Sequence, residues 1–338
     1  IGGKPKSPHI LFLKRKEAVR DLRRAQRQLY AEERNDDMNL FHQIIQRHRN
    51  NNGPHTNELI LDGISHTEKL EEIWKIHFAR LATPQENPNF DESYKEMVET
   101  DVNKIDNILT SYPKHHIPIT TAEVEIAIRN LPNKKAADEH LLTAEHFKSS
   151  SVNISKFLTP VFNNILKEEK APEVLKTNTT HPIPKKNKAR NQPTNARGIS
   201  ISPVVSKILD SIMLKHQEAA RNSTHELQFG FSKGSSCLDA AFLLTETISE
   251  SKDKSEPLFI GSLDVQKAFD TVSHSSLLRK LHFSGVTGQW WLLKKDLMSG
   301  MTGKIFWDGQ LSESYEIKQG TKQGGYCSPD EYKEYQML

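Results

Sequence analysis

The chain has 338 residues, of which 36% are hydrophobic and 26% charged, and its Lys+Arg (46) and Asp+Glu (43) leave a net charge of +3. That length suits about two domains, no run approaches the ~18 apolar residues of a membrane helix, and the apolar stretch at residues 9–13 is too short for a secretory signal. Cys237 and Cys327 are the only cysteines, which excludes a disulfide framework and a Cys-rich zinc site, so the chain reads as intracellular. It begins at Ile1 rather than Met, which reads as a piece of something longer.

Charge is unevenly spread. Residues 1–50 are basic, residues 86–106 acidic, and residues 176–197 carry Lys176, Lys185, Lys186, Lys188, Arg190 and Arg197 with no acid among them. A basic stretch with nothing to pair with suits a polyanion as well as a solvated loop.

The first hundred residues read as helical. Ala18, Leu22, Ala25 and Leu29 recur at helical spacing, and Met38, Phe41 and Ile45 repeat it behind Asp36 and Asp37, residues suited to helix N-caps. Residues 49–57 read as a loop. Ser65 and Glu68 form a capping-box pattern ahead of Leu70, Trp74, Phe78 and Leu81. After a proline-containing loop at residues 84–90, Met97, Val98, Ile105, Ile108 and Leu109 mark another helix.

The character changes near residue 117. Thr120 and Glu123 make a second capping box before Val124, Ala127, Ile128 and Leu131, and helices follow through residues 157–165 and 204–213. Residues 258–264 (Leu-Phe-Ile-Gly-Ser-Leu-Asp) read as a buried-type strand. Ser273 starts a helix holding Leu277, Leu278 and Leu281, and Asp308-Gly309, between Ile305-Phe-Trp and Leu311, signals a tight hairpin. Helices alternating with sparse strands predict an α+β or α/β arrangement.

Three features carry chemistry. The predicted strand delivers Asp264 at its C-terminal end, where a carboxylate beside a backbone carbonyl suits a hard cation such as Mg²⁺. A single Asp also serves as a solvent-facing or capping residue, and Asp270 is placed to cap the turn before Ser273. The run Gly320-Thr-Lys-Gln-Gly-Gly-Tyr-Cys-Ser-Pro has three glycines in six residues, which lets backbone approach a ligand, and Gln323 both donates and accepts. An ordinary turn into a helix at Ser328-Pro329 accounts for it equally. Residues 181–188 and 197–202 hold cations suited to a triphosphate. Residues 230–235 lack the Gly-Lys-Ser/Thr ending of a phosphate-binding loop, and the histidines show no metal spacing.

In their order, these blocks resemble the reverse transcriptase of non-LTR (LINE-type) retrotransposons. Residues 120–131, 133–137 and 143–147 resemble the family's opening segment. Residues 181–188 with 197–202 resemble its fingers motif, and residues 227–236 with Asp239-Ala240 its Gln-Phe-Gly-Phe block. Residues 260–272 resemble the palm motif with the first catalytic Asp, and residues 317–329 the Gln-Gly loop. The resemblance covers about residues 118–338, and residues 1–117 resemble, more weakly, the helical linker that precedes this domain.

The resemblance implies an α+β right-hand polymerase: a helical linker at residues 1–117, fingers at 118–257 and a partial palm at 258–338. It implies that Asp264 is catalytic and binds Mg²⁺, with the Val265 backbone carbonyl on one ion of a two-metal site. Lys185 and Arg197 would bind the incoming triphosphate, Phe269 would sit beneath the sugar and exclude a 2′-hydroxyl, and Gln323 and Gly324 would line the nucleotide and template pocket. The partners implied are an RNA template, a DNA primer and deoxynucleoside triphosphates, with no membrane and no specific protein partner, in cytoplasm and nucleus. The sequence also departs from the family. Residues 137–142 lack the usual glycine, Lys322 and Ser232 stand where Arg is common, and Tyr326-Cys327 replace an apolar pair. The family's catalytic hairpin, an aromatic residue followed by Ala-Asp-Asp, and its thumb are expected downstream of the Gln-Gly loop. The second catalytic Asp is absent from the sequence, whose one Asp-Asp pair is Asp36-Asp37. The expectation is therefore a C-terminally truncated fragment, inactive by itself; the alternative is a non-catalytic RNA-binding remnant.

Overall fold

An Asp-Gly dipeptide turns the chain back on itself near the start of the described region. In the computed structural model, which describes residues 56–85, 91–111, 116–221 and 225–336, Asp62 and Gly63 take φ of 53° and 80°. They join β1 (Leu59–Leu61) to β2 (Ile64–His66) as an antiparallel hairpin, the geometry this dipeptide favours. The expectation of helices alone over the first hundred residues is corrected here. Ser65 is no helix cap: its hydroxyl donates to Glu58 across the hairpin, and α1 (Leu70–Leu81) begins after Lys69, which itself takes φ 48°. The helices expected over residues 18–45, with the proposed caps Asp36 and Asp37, lie outside the described residues.

Then come α2 (Glu92–Ser111), α3 (Thr121–Asn130), α4 (Ala144–Lys148), α5 (Ser151–Glu168) and α6 (Glu173–Lys176). The capping box at α3 forms as its sequence predicts. Thr120 Oγ1 accepts from the Glu123 amide at 3.2 Å and the Glu123 carboxylate accepts from the Thr120 amide at 2.9 Å. The chain next enters β3 (Thr177–Pro184) and β4 (Ala196–Ile201), followed by α7 (Val204–Ala220), α8 (Cys237–Lys254), α9 (His274–Phe283) and α10 (Gly288–Met298). Strands β5 (Thr302–Trp307), β6 (Gln310–Leu311) and β7 (Tyr315–Glu316) and helix α11 (Ser328–Gln336) complete the described elements.

The sheet is mixed, with order β4-β3-β5-β6 and β7 also paired to β5. Strand β3 is antiparallel to β4 and parallel to β5. The predicted Asp308-Gly309 hairpin closes β5 on β6, pairing Trp307 with Gln310. The helix starts expected at Ser273 and Ser328 are also found. The fold is thus α+β.

The largest core joins α2, α3, α5, α7, α9, α10 and α11 around Ile128, Phe162, Met213, Leu277, Trp291 and Leu293. A smaller core sets Trp74 and Phe78 of α1 against Ile305 and Trp307 of β5, with the two indoles 5.4 Å apart. Helix α8 buries none of its residues among the described ones.

Two further expectations are corrected. Residues 258–264 form no strand, and Phe259 and Leu263 are 92% and 100% exposed. A strand must place its amides and carbonyls on neighbouring backbone, and no strand among the described residues runs beside this segment. An apolar run alone therefore does not make a buried strand. Lys176 does not face a polyanion either. It is 4% exposed, and its ammonium donates to Asp296 Oδ1 at 3.0 Å and to the Ser299 carbonyl at 3.1 Å. Removing Lys176 leaves the partly buried Asp296 carboxylate without its ammonium partner. Lys176→Ala is therefore expected to destabilise the fold by about 1–3 kcal/mol, read as a lower urea midpoint, while Lys186→Ala, at an exposed loop position, leaves the midpoint unchanged.

Candidate functional site

The site is built on a stretch of irregular backbone, residues 318–325, that is hydrogen-bonded on three sides. On the first side, the Lys318 and Gln319 amides donate to the Ala82 carbonyl just past α1, at 2.9 and 3.1 Å. The Gln319 side chain adds a bond to the Leu81 carbonyl at 2.9 Å. On the second, the Gly320 amide donates to the Val272 carbonyl and the Thr321 amide to the Phe269 carbonyl, both at 2.7 Å. On the third, the Ser200 amide of β4 donates to the Gln323 carbonyl at 2.8 Å. Gly320 takes φ +90°, and a Cβ there would lie 2.9 Å from the Asp270 carbonyl oxygen. The position therefore demands glycine on both conformation and space.

Strand β4 leans equally closely on α1. A Cβ at Gly198 would stand 2.5 Å from Cε1 of Phe78. The loop between β3 and β4 is tied down at its base, the Lys185 amide donating to the Asn195 carbonyl at 2.8 Å and the Lys185 ammonium to the Thr194 carbonyl at 3.2 Å. The Ile60 amide of β1 reaches the Asn191 carbonyl at 2.7 Å. Lys186, Lys188 and Arg190 stand exposed on this loop, and Arg197 is exposed on β4 opposite Ile183.

These contacts enclose a cavity of about 50 Å³ whose lining includes Phe78, Ser200, Asp270, Gln319, Lys322 and Gln323. Burial pushes the Asp270 carboxyl up, against the pull of Lys267 and Lys185. On α1, burial pushes His77 down to about 4, helped by Lys267, Arg80 and Lys185. Beside Asp270, Phe269 stacks on Tyr332 of α11 with centroids 4.9 Å apart, and Phe231 meets Phe269 edge-on at 6.1 Å.

The structure therefore brings Phe269, Gln323 and Gly324 onto one backbone assembly, with the charge of Lys185 acting on Asp270. Asp264 and Val265 lie in the exposed stretch before this turn. Burial, with Tyr335 and Asp264 adding to it, raises the Tyr332 phenol. Sequence reasoning missed Tyr332 and the lining role of Asp270. No residue pattern ties Tyr332 to Phe269, whereas the half-apolar setting of Asp270 was visible in its neighbours Ala268, Phe269 and Val272. The described residues contain no group of three or more His, Cys, Asp or Glu able to hold a metal ion. Asp264 and the Val265 carbonyl would supply two oxygens of a Mg²⁺ shell, water and a triphosphate supplying the rest. The described residues thus lack the carboxylate cluster of a two-metal site.

Residues 183–333 match the family of reverse transcriptases (RNA-dependent DNA polymerases). This segment is a reverse transcriptase domain. It is homologous to polymerases of non-LTR retrotransposons. The Pol polyprotein of the type-1 retrotransposable element R2 of Popillia japonica is 34% identical over 148 residues, which are 44% of this chain and 20% of that protein. The RNA-directed DNA polymerase from mobile element jockey of Drosophila melanogaster is 27% identical over 217 residues, 63% of this chain and 24% of that protein. A probable RNA-directed DNA polymerase from transposon X-element of the same fly is 25% identical over 215 residues, again 63% and 24%. The chain thus spans about a quarter or less of these relatives.

The reverse transcriptase domain's loop geometry has two measurable consequences. Gly320→Ala is expected to cost more than about 1 kcal/mol, because its φ is closed to alanine, whereas Gly230→Ala, with only a side-chain atom at 3.6 Å, leaves the urea midpoint in place. The second concerns His77, whose folded value near 4 lies below the ordinary 6.5. Between those values the unfolded chain binds more protons, so His77 favours the fold above pH 6.5 and that contribution falls away as pH drops toward 4. His77→Phe is expected to flatten the stability profile in that window, measured by urea titration at each pH.

Proposed function

We propose that this chain supplies the nucleotide-handling part of an RNA-directed DNA polymerase. In this reading residues 118–257 are the fingers and residues 258–338 part of the palm, and the parent enzyme joins deoxynucleoside triphosphates to a DNA primer on an RNA template. One observation carries the reading. The backbone of residues 319–323 bonds at once to the Phe269–Val272 region and to Ser200 of β4, so three blocks far apart in sequence converge on one cavity.

In this reading Lys185 and Arg197 meet the triphosphate. The base of the loop holds Lys185 in place through the Thr194 carbonyl, which shortens the search its flexible stem would make. Phe269, fixed by its stack on Tyr332, presents a ring edge beneath the sugar that leaves no room for a 2′-hydroxyl. Gln323 and Gly324 line the pocket where template and nucleotide meet. Reverse transcriptases use a divalent metal, and Asp264 with the Val265 carbonyl are this chain's residues for Mg²⁺. The 338-residue polypeptide assayed alone is expected to incorporate no nucleotide, because Asp264 alone does not make the carboxylate cluster that a two-metal site needs. Mg²⁺-dependent, template-directed extension that Asp264→Ala abolishes would overturn this.

RNA binding without catalysis is favoured by a separate observation, the exposed Lys186, Lys188 and Arg190 on a tethered loop. Single-stranded RNA binding, followed by fluorescence anisotropy, is expected to weaken steeply with salt. Replacing the three by alanine is expected to flatten the log–log salt slope by about 2, at ~0.7 per phosphate contact.

A further inference from the structure

A second cavity, of about 20 Å³, adjoins the same loop and is lined by Asp210 of α7, Lys294 of α10, Thr321, Lys322, Cys327 and Glu331 of α11. Lys294 and Glu331 form a buried ion pair, and the Cys327 thiol donates to the Asp210 carbonyl at 3.3 Å. Burial pushes the Asp210 carboxyl up, against the pull of Lys322 and Lys294. Thr321, which lines this cavity as well as the larger one, is 8% exposed, yet its hydroxyl, fully buried, has no hydrogen-bond partner among the described residues.

An unsatisfied buried hydroxyl is costly unless something polar meets it. The space decides what that is. A cavity needs roughly 10–15 Å³ to take one water, and that water needs two to four polar partners, so this one admits a single water and little more. The charges decide against an ion. Two ammonium groups and two carboxyl groups line the wall, so neither an anion nor a cation gains from entering. We propose that this cavity is a structural water site, in which one water bonded to Thr321 Oγ1 and the Asp210 carboxyl ties the loop carrying Gln323 to helix α7. Asp210 is then a positioning residue for that loop, acting on Gln323 from α7 without touching it.

The test uses the full 338-residue chain and needs no polymerase activity, so it stands apart from the function proposed above. Thr321→Val keeps the shape and removes the hydroxyl. With a bridging water, the thermal midpoint falls by several degrees and the amides of residues 320–325 exchange at least tenfold faster, while Thr321→Ser retains the parent's values. With a dry cavity, Thr321→Val removes an unpaired buried hydroxyl, so the midpoint holds or rises and exchange is unchanged; that result overturns the proposal. Combining Thr321→Val with Asp210→Asn gives a second reading. A shared water makes the two midpoint shifts less than additive, and full additivity overturns the proposal. If Asp210→Asn does not fold, the sign of the Thr321→Val shift decides alone.

Discussion

The backbone of residues 318–323 cannot satisfy itself. It is neither helix nor strand, and most of its backbone bonds go to three other segments that have already come to rest: the end of α1, the turn before α9 and strand β4; the Gly320 carbonyl also meets the His274 ring and the Lys322 carbonyl accepts from the Gly325 amide. Because an unmade buried backbone bond costs as much as several good contacts gain, the loop's position follows from those three segments. Gly320 is the point where the approach is closest, backbone against backbone with no side chain between.

The rest of the molecule fixes where the three segments stand. The small core of Trp74, Phe78, Ile305 and Trp307 clamps α1 to β5, so Ala82 is presented at a fixed height above the sheet. Helix α11, which follows the loop, is held by charge as well as packing. Arg221 at the end of α7 pairs with Asp330 and reaches Glu334 at 3.5 Å, and Lys294 of α10 pairs with Glu331. Buried pairs of this kind add little net stability. Their one good geometry would set the register of α11, and with it the place of Tyr332 against Phe269.

Local grammar was legible in the sequence and long-range partnership was not. The capping box at Thr120, the N-cap at Ser273, the helix start at Ser328 and the hairpin at Asp308-Gly309 depend on residues within four positions of one another. The same hairpin dipeptide at Asp62-Gly63 was just as readable, but it was hidden by a capping pattern at Ser65 and Glu68 that fits the residues equally well. Residues 258–264 show the opposite failure. Their composition suits a strand, but composition does not specify a neighbour. Lys176 likewise reads as one cation in a basic stretch until Asp296, 120 positions away, is seen beside it. At the site, the order of blocks singled out Phe269, Gln323 and Gly324, which the fold brings onto one backbone assembly, while Tyr332 and the cavity face of Asp270 emerged only once the chain was folded.

The support that α1 gives the loop separates two meanings of the word domain. Residues 183–333 are the stretch that matches the reverse transcriptase family, and likeness to a single relative runs over 217 residues. The support of the loop draws on residues outside 183–333. Phe78 fills the space above Gly198, and Ala82 accepts two amides from the loop. A segment cut to residues 183–333 would carry every residue named for the chemistry and would still lack one wall of the room in which that chemistry is arranged.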